Sequence, residues 1–277
     1  MNIFTMYVGQ GELVVVRHAG EAIIVDASFA GGCEDDGKRN GTTLERLLQK
    51  HRVPGLILTS FDNDHCDPNG VEFVLSKFEP DWILYPKYFK ETDSATAVFN
   101  TIERHERRRK SSIRPLRRVS VRVDRLASRV LTGLASNFEF ELFSPHVEDK
   151  DHSNNSSIVL KLTGIGPSGF SYLITGDTEN ERWEQINRLY GSGLQSSVMS
   201  APHHGSRGAA NAQTLLHISP NTVLISAGVD SQYGHPNSQA IGAYQAVAQH
   251  VFSTNVEGGV SLFTEPNGLD FKTVLVR

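Results

Sequence analysis

An apolar run from Val53 to Leu58 passes directly into Thr59, Ser60, Phe61, Asp62, Asn63, Asp64 and His65. The run reads as a buried strand over 55–59, with a cluster of metal-capable side chains in the loop at its end. Three other junctions repeat the pattern. Asp26 ends the strand expected at 22–27, Asp177 follows the one at 171–175, and His203 with His204 follows the one at 197–201. Four separate strands therefore deliver Asp or His just past their ends. Loops held by a rigid sheet are where binding groups concentrate.

Short β-rich runs open the chain at 3–8, 13–17 and 22–27, with turns at Gly9-Gln10-Gly11 and Ala19-Gly20-Glu21. The stretch from Gly31 to Gly41 reads as a glycine-rich loop. Thr42 or Thr43 can then cap a helix to about His51, with Leu44, Leu47 and Leu48 on one face. Further strands are expected at 82–85, 138–143, 157–162, 222–227, 260–263 and 271–276. Helices are expected near 69–78, 179–190, 211–217 and 238–249. Strands with interspersed helices predict sheets covered by helices on their outer faces. The stretch 86–135 differs. It is helical and basic, holds no metal-capable cluster, and reads as an insertion on a single domain spanning 1–277.

Net charge is −4, yet eleven Lys/Arg and two acids, Glu106 and Asp124, fall between Arg104 and Arg129. Such a cationic segment suits phosphate contact, because neutralised phosphates dominate nucleic-acid affinity. Its plain alternative is a solvated insertion. No run of ~18 apolar residues is present to span a bilayer. Residues 1–7 lack a basic n-region and a long apolar h-region, and read as a first strand rather than a secretion signal. Two cysteines, Cys33 and Cys66, make no disulfide framework. These features predict a soluble, cytoplasmic protein. No Gly-x-Ser-x-Gly elbow and no P-loop Gly-Lys-Ser/Thr occurs, so serine-hydrolase and nucleotide-kinase readings lack support.

Seven segments occur in one order: Tyr7-Val8-Gly9-Gln10-Gly11-Glu12, Ile24-Val25-Asp26, the 58–65 stretch, Asn154-Asn155-Ser156-Ser157, Thr175-Gly176-Asp177, His203-His204-Gly205-Ser206 and Tyr233-Gly234-His235-Pro236. That order resembles the ComEC-like group of the metallo-β-lactamase superfamily. The 58–65 stretch resembles the superfamily motif H-x-H-x-D-H, with Ser60 and Asp62 in place of the two leading His residues. The resemblance implies an α+β, four-layer αββα sandwich with a metal site at one edge of the sheets, here without ComEC's membrane-spanning segments. It implies one metal position made by Asp64, His65 and one of His203 and His204, with Asp177 bridging to a second. That second position would rest on Ser60, a poor neutral ligand, and Asp62, a hard oxygen donor. Its third His position falls near Asn154-Asn155, with His146 and His152 nearby. Zn²⁺ or Mn²⁺ is expected, with Mg²⁺ also open, in one or two copies. Carboxylate and amide oxygen favours Mn²⁺ or Mg²⁺ over Zn²⁺ relative to an all-His pocket.

The implied activity is metal-assisted hydrolysis of a phosphodiester, in DNA, another nucleic acid or a smaller phosphoester. Asp64 or Asp177 would orient the water. His235 would protonate or hydrogen-bond the leaving oxygen, being the side chain that titrates near neutrality. Ser206, Arg207 and Asn155 would contact substrate, and the basic segment would guide the strand. Asp26 is expected to anchor the motif loop. At Asp177 a ligand role competes with a helix N-cap role. The rival reading is a non-catalytic or partly decayed scaffold that binds nucleic acid or a partner through its basic segment. It is prompted by Ser60 and the missing third His, and opposed by the retained Asp64-His65, Gly176-Asp177 and His203-His204 set.

Overall fold

The structure is a computed structural model that describes residues 1–29, 34–124, 127–151, 154–209, 211–265 and 268–273. Strands β1 (Asn2–Thr5), β2 (Val14–His18), β3 (Glu21–Val25), β4 (Arg52–Ile57), β5 (Trp82–Pro86) and β6 (Arg117–Val121) lie side by side in that order. A second sheet contains β7 (Arg129–Leu131), β8 (Phe138–Ser144), β9 (Val159–Gly164), β10 (Ser171–Ile174), β11 (Val198–Ser200), β12 (Thr222–Ile225) and β13 (His250–Ser253), again in order. Then β14 (Val260–Glu265) and β15 (Gly268–Thr273) return to the first sheet beside β1. Strands β3 to β6 run parallel, as do β10 to β13, so within each set the C-terminal ends share one edge.

The helices are α1 (Glu34–Leu48), α2 (Pro68–Lys77), α3 (Asp93–Arg109), α4 (Asn180–Tyr190), α5 (Ala212–Ile218), α6 (Ser238–Gln245) and α7 (Thr254–Glu257). Period-two alternation along the strands sorts side chains to opposite faces. Val14, Val16, Ile23, Val25, Ile57 and Leu84 meet Phe140, Leu142, Leu160, Leu162, Tyr172 and Ile174 between the sheets. Val15, Ile24, Leu56 and Ile83 instead pack with Leu44 and Leu48 of α1, Val71 and Val74 of α2, and Val98 and Ile102 of α3. On the second sheet, Leu173, Met199, Val223 and Ile225 pack with Trp183 and Ile186 of α4, Leu215 of α5 and Tyr244 of α6. Three cores thus separate four layers, and the αββα sandwich is the architecture. Each fully buried aliphatic chain contributes ~1.5–3 kcal/mol to holding these layers together.

Two expectations change. Helix α1 starts at Glu34, so Thr42 and Thr43 lie inside it, and Thr42 Oγ1 donates back to Lys38 O at 3.0 Å. Its glycines invite a loop reading, but Gly41 has a packing reason: a Cβ there would meet the Phe73 ring of α2 at 3.0 Å. Gly31 and Gly32 lie outside the described residues, as does the end of the last expected strand. The second change concerns 86–135. This stretch supplies outer helix α3, whose Val98 and Ile102 are fully buried, and edge strand β6 paired with β5. It also supplies β7, paired with β8 on the other sheet. It is woven into both sheets instead of standing on them. Among the described residues no helix is long and apolar enough to cross a membrane.

Candidate metal centre

The C-terminal ends of β3, β4, β10 and β11 carry the candidate ligands. After β4 the chain makes the 58–65 loop, pinned at both ends. Phe61 is buried against Phe99 (ring centroids 4.7 Å), Phe89 (4.5 Å) and Tyr85 (5.7 Å). Asp67 N-caps α2, accepting from the N–H groups of Asn69 and Gly70 at 2.9 Å, and Pro68 fills the first helical turn. After β10, Gly176 takes φ +49°, and a Cβ on it would meet Ser157 Cβ at 2.9 Å. Ser157 Oγ accepts from the Asp177 N–H at 3.2 Å. Asp177 does not cap α4. The N-cap is Glu179, whose N–H donates to Asn155 Oδ1 at 3.1 Å.

Four side chains converge. One ligand atom from each of Asp64, His65, Asp177 and His204 lies within 4.8 Å of the other three. His65 Nε2 stands 2.8 Å from Asp177 Oδ1, and His204 Nε2 stands 3.5 Å from Asp64 Oδ2 and 3.7 Å from Asp177 Oδ1. Ligand bonds of ~2.0–2.2 Å put atoms around one ion roughly 3–4 Å apart, so these separations suit a shared cation. His65 Nε2, His204 Nε2 and Asp177 Oδ1 are buried, and none has a hydrogen-bond partner of proper alignment. A buried polar atom without an aligned partner costs ~1–3 kcal/mol of desolvation, offset in part here by the His65–Asp177 ion pair at 2.8 Å. A divalent cation among them would satisfy all three.

Both imidazoles are oriented from behind. His204 Nδ1 lies 2.9 Å from Ser226 O, a carbonyl that can only accept, so Nδ1 carries the proton and Nε2 turns its lone pair to the centre. His65 Nδ1 lies 2.8 Å from Asp26 Oδ2, which also accepts from Thr59 Oγ1 at 2.6 Å; Asp26 Oδ1 accepts from the Thr59 N–H at 2.7 Å. Asp26 thus anchors the motif loop, as expected. Glu12 is a further buried carboxylate, 3.9 Å from His65 Nδ1, and its N–H donates to Asp64 O at 2.8 Å. Seven non-glycine residues have positive φ among the described residues, and Asp26, His203 and His204 are three of them. Backbone strain of this kind concentrates at functional sites.

Electrostatics match the geometry. Burial alone would raise the Asp177 carboxyl, but the facing His65 and His204 rings hold it well below the usual carboxylate range. Burial would lower His65, yet Asp177 and Asp26 lift it well above the ordinary imidazole value. Glu12 is pushed up to about 7, first by burial and then by Asp26.

No family model matches the chain. The sequence is similar to ComE operon protein 3 of Bacillus subtilis (strain 168), 25% identical over 210 residues, which are 76% of this chain and 24% of that protein. Across the curated relatives it matches, the chain spans about a quarter of their length, 24% and 29%. CmlA, a diiron β-hydroxylase from Streptomyces venezuelae, superposes at TM-score 0.54 with 14% identity, over 95% of this chain and 54% of that one. Igni18, a metallo hydrolase from Ignicoccus hospitalis KIN4/I, gives 0.50 with 13% identity, over 96% of this chain and 100% of that one. The αββα fold expected from the metallo-β-lactamase resemblance is the one found, and CmlA and Igni18 share it. Its ComEC-like relation is the one the ordered motifs implied.

Within this metallo-β-lactamase frame the other expected residues sort as follows. Asp62 joins neither convergent group; it is half-buried, its N–H donates to Ser60 Oγ at 3.0 Å, and its carbonyl accepts from the N–H groups of His65 and Cys66. His203 stands just outside the cluster: its Nδ1 is 3.2 Å from Glu179 Oε1, and its Nε2 is 3.9 Å from Asp177 Oδ2. Asn155 is buried and braces Glu179 rather than facing solvent. His235 is half-buried, its ring 5.3 Å from that of His203 and its Nδ1 unpartnered. Ser206 and the exposed Arg207 follow the His pair at the rim. His146 is engaged with Tyr190 Oη at 2.8 Å, and His152 lies outside the described residues. Cys66 is fully buried.

The basic segment largely points elsewhere. α3 runs from a first turn in which Ser94 Oγ donates to Asn63 Oδ1 of the motif loop at 3.1 Å to an arginine-rich C-terminus that leads toward β6. Arg114 pairs with Asp81, which precedes β5, at the edge opposite the metal centre. Arg104 pairs with Glu72, Arg107 with Glu103, and Arg118 with Glu103 and Glu106. Arg109 is buried and donates to the carbonyls of Pro80 and Arg114. Arg122, past the end of β6, is a segment cation at the metal edge, hydrogen-bonded to Tyr88. Arg125 lies outside the described residues. A charge count along the chain does not reveal this internal pairing.

Proposed function

We propose that the chain is a metal-dependent hydrolase that cleaves a phosphodiester, in a nucleic acid by preference. The carrying observation is the convergence of His65 Nε2, His204 Nε2 and Asp177 Oδ1, buried and lacking aligned hydrogen bonds, beside Asp64. These four residues would hold the cation. Mixed imidazole and carboxylate donors suit Zn²⁺ or Mn²⁺ better than Mg²⁺, which keeps to oxygen ligands. A bound divalent ion lowers the pKa of coordinated water toward ~7 and neutralises charge on an attacked phosphate.

The chain's own residues do the rest. Asp64, the half-exposed member of the four, orients the attacking water and accepts its proton. Asp26, Thr59 and Ser226 keep both imidazoles in the ligating orientation. Arg207 and Ser206 bind the phosphate from the rim. His235 is held below the ordinary imidazole value by burial and by the neighbouring His203 and His204. It is therefore neutral near pH 7, and its role is to hydrogen-bond the leaving oxygen.

The test is hydrolysis of bis(4-nitrophenyl) phosphate and of a fluorescent single-stranded DNA with Zn²⁺, Mn²⁺ or Mg²⁺, by wild type and His204→Ala. Metal-dependent cleavage that the variant loses is expected. Absence of cleavage with every metal, or equal cleavage by the variant, removes the reading and leaves the binding scaffold.

A further inference from the structure

An aromatic row leads outward from the metal centre. His203 Nε2 lies 3.9 Å from Asp177 Oδ2, the His235 ring lies 5.3 Å from the His203 ring, and the Tyr233 ring lies 6.2 Å from the His235 ring at an interplanar angle of 27°. Burial falls along the row. Asp177 is buried, His203 and His235 are half-buried, and Tyr233 is 62% exposed. Val229, in the same loop between β12 and α6, is exposed too.

The loop is held in place. Ser231 Oγ accepts from the N–H groups of Tyr233 at 3.3 Å and His235 at 3.4 Å, and Ser231 O accepts from the Gly234 N–H at 2.9 Å. The Asn237 N–H donates to Gly205 O at 2.9 Å, tying the loop to the turn that carries His203 and His204. Tyr233 is thus an aromatic face, backed by His235, fixed beside the ligands and open to solvent. Arg207 offers a cation on the adjoining turn. An exposed ring fixed beside a metal-ligand cluster is the arrangement that takes a base next to a phosphate held at the centre.

We propose that Tyr233 is the stacking platform for a nucleobase that flanks the phosphate cleaved at the metal centre. The preferred substrate is then a nucleotide-bearing diester, bound through the π-face of its base. Stacking tolerates every base, so the platform selects nucleic acid over base-free esters without reading sequence. This rests on the hydrolase reading and adds the substrate class to it.

The experiment compares two diesters with the same leaving group, thymidine 5′-(4-nitrophenyl phosphate) and methyl 4-nitrophenyl phosphate. Enzymes are wild type, Tyr233→Ala and Tyr233→Phe. Tyr233→Ala is expected to raise KM for the thymidine ester roughly tenfold more than for the methyl ester, with kcat little changed and Phe restoring the wild-type value. Equal effects on both esters, or none, overturn the proposal. A second readout needs no turnover: 2-aminopurine riboside 5′-phosphate is quenched when its base stacks. Quenching by wild type and Tyr233→Phe, lost in Tyr233→Ala, supports the platform, and quenching unchanged in Tyr233→Ala overturns it. If wild type cleaves neither ester, the hydrolase reading falls and this binding readout decides the platform separately.

Discussion

Replacing Asp26 with Asn tests the orientation of His65 while leaving the four converging side chains in place. The backbone at 26 has φ 57°, which Asn tolerates about as well as Asp, so the fold should persist. One carboxylate oxygen accepts from the Thr59 N–H at 2.7 Å, and the other faces His65 Nδ1 at 2.8 Å. An amide cannot serve both. With its oxygen on the Thr59 N–H, its NH₂ faces His65, whose Nδ1 must then accept. The ring proton moves to Nε2, where it blocks the lone pair aimed at the centre. In the flipped orientation the NH₂ meets the Thr59 N–H, leaving a buried donor unsatisfied at ~1–3 kcal/mol. Loss of such an outer partner typically costs 10–100-fold in metal affinity, about 1.4–2.7 kcal/mol. The assay is competition for Zn²⁺ against a chromophoric chelator, using protein stripped of metal, with a circular-dichroism melt to confirm folding. Zn²⁺ affinity within about twofold of wild type, in a folded variant, would refute the argument that Asp26 sets the His65 tautomer.

Other expectations follow from the same geometry. In the metal-free chain, His65 holds its proton well above the ordinary imidazole value despite burial, because Asp177 and Asp26 face it. Cation uptake must expel that proton, so affinity should rise by up to about tenfold per pH unit and level off above the raised value; a flat profile contradicts this. The same raised value stabilises the metal-free fold below the ordinary imidazole pKa and is lost as pH rises, so the melting temperature without metal should fall toward alkaline pH. Phe61→Ala removes a ring buried among Phe89, Phe99 and Tyr85, and should cost about 3–5 kcal/mol by urea unfolding and weaken metal binding. Reversing Arg107, Arg108 and Lys110 together should change kcat/KM on a short diester by less than about threefold, since charges at the far edge are screened over ~8 Å. Arg207→Glu should raise KM roughly tenfold or more, the loss of a charged hydrogen bond; the reverse ranking would return the substrate path to α3.

The ligand loops were legible because each follows a short apolar strand, and the pattern of apolar runs and punctuation located most strands of both sheets. The Asp177 ambiguity was not resolvable in sequence. An Asp just before a helix reads equally as cap and ligand, and Asn155, 22 positions earlier, decides it by taking the Glu179 N–H. Glu12 carries no sign of its place in the sequence, because its burial depends on a loop meeting the 58–65 turn across the sheet. Asp62 looked like a ligand by register alone; in the structure it joins neither convergent group, and its Oδ2 accepts from Ser60 Oγ at 3.3 Å. The basic segment looked like a nucleic-acid path because the acids that pair with Arg104, Arg107 and Arg114, namely Glu72, Glu103 and Asp81, precede it in the chain.

Metal content is the most direct measurement. Elemental analysis of the chain purified without chelator, beside Asp177→Ala prepared identically, should give about one or two Zn²⁺ or Mn²⁺ per wild-type chain and none in the variant. Wild-type protein that carries no divalent metal and takes up none on addition, or a variant that retains the full complement, would contradict the claim that these side chains form a metal centre.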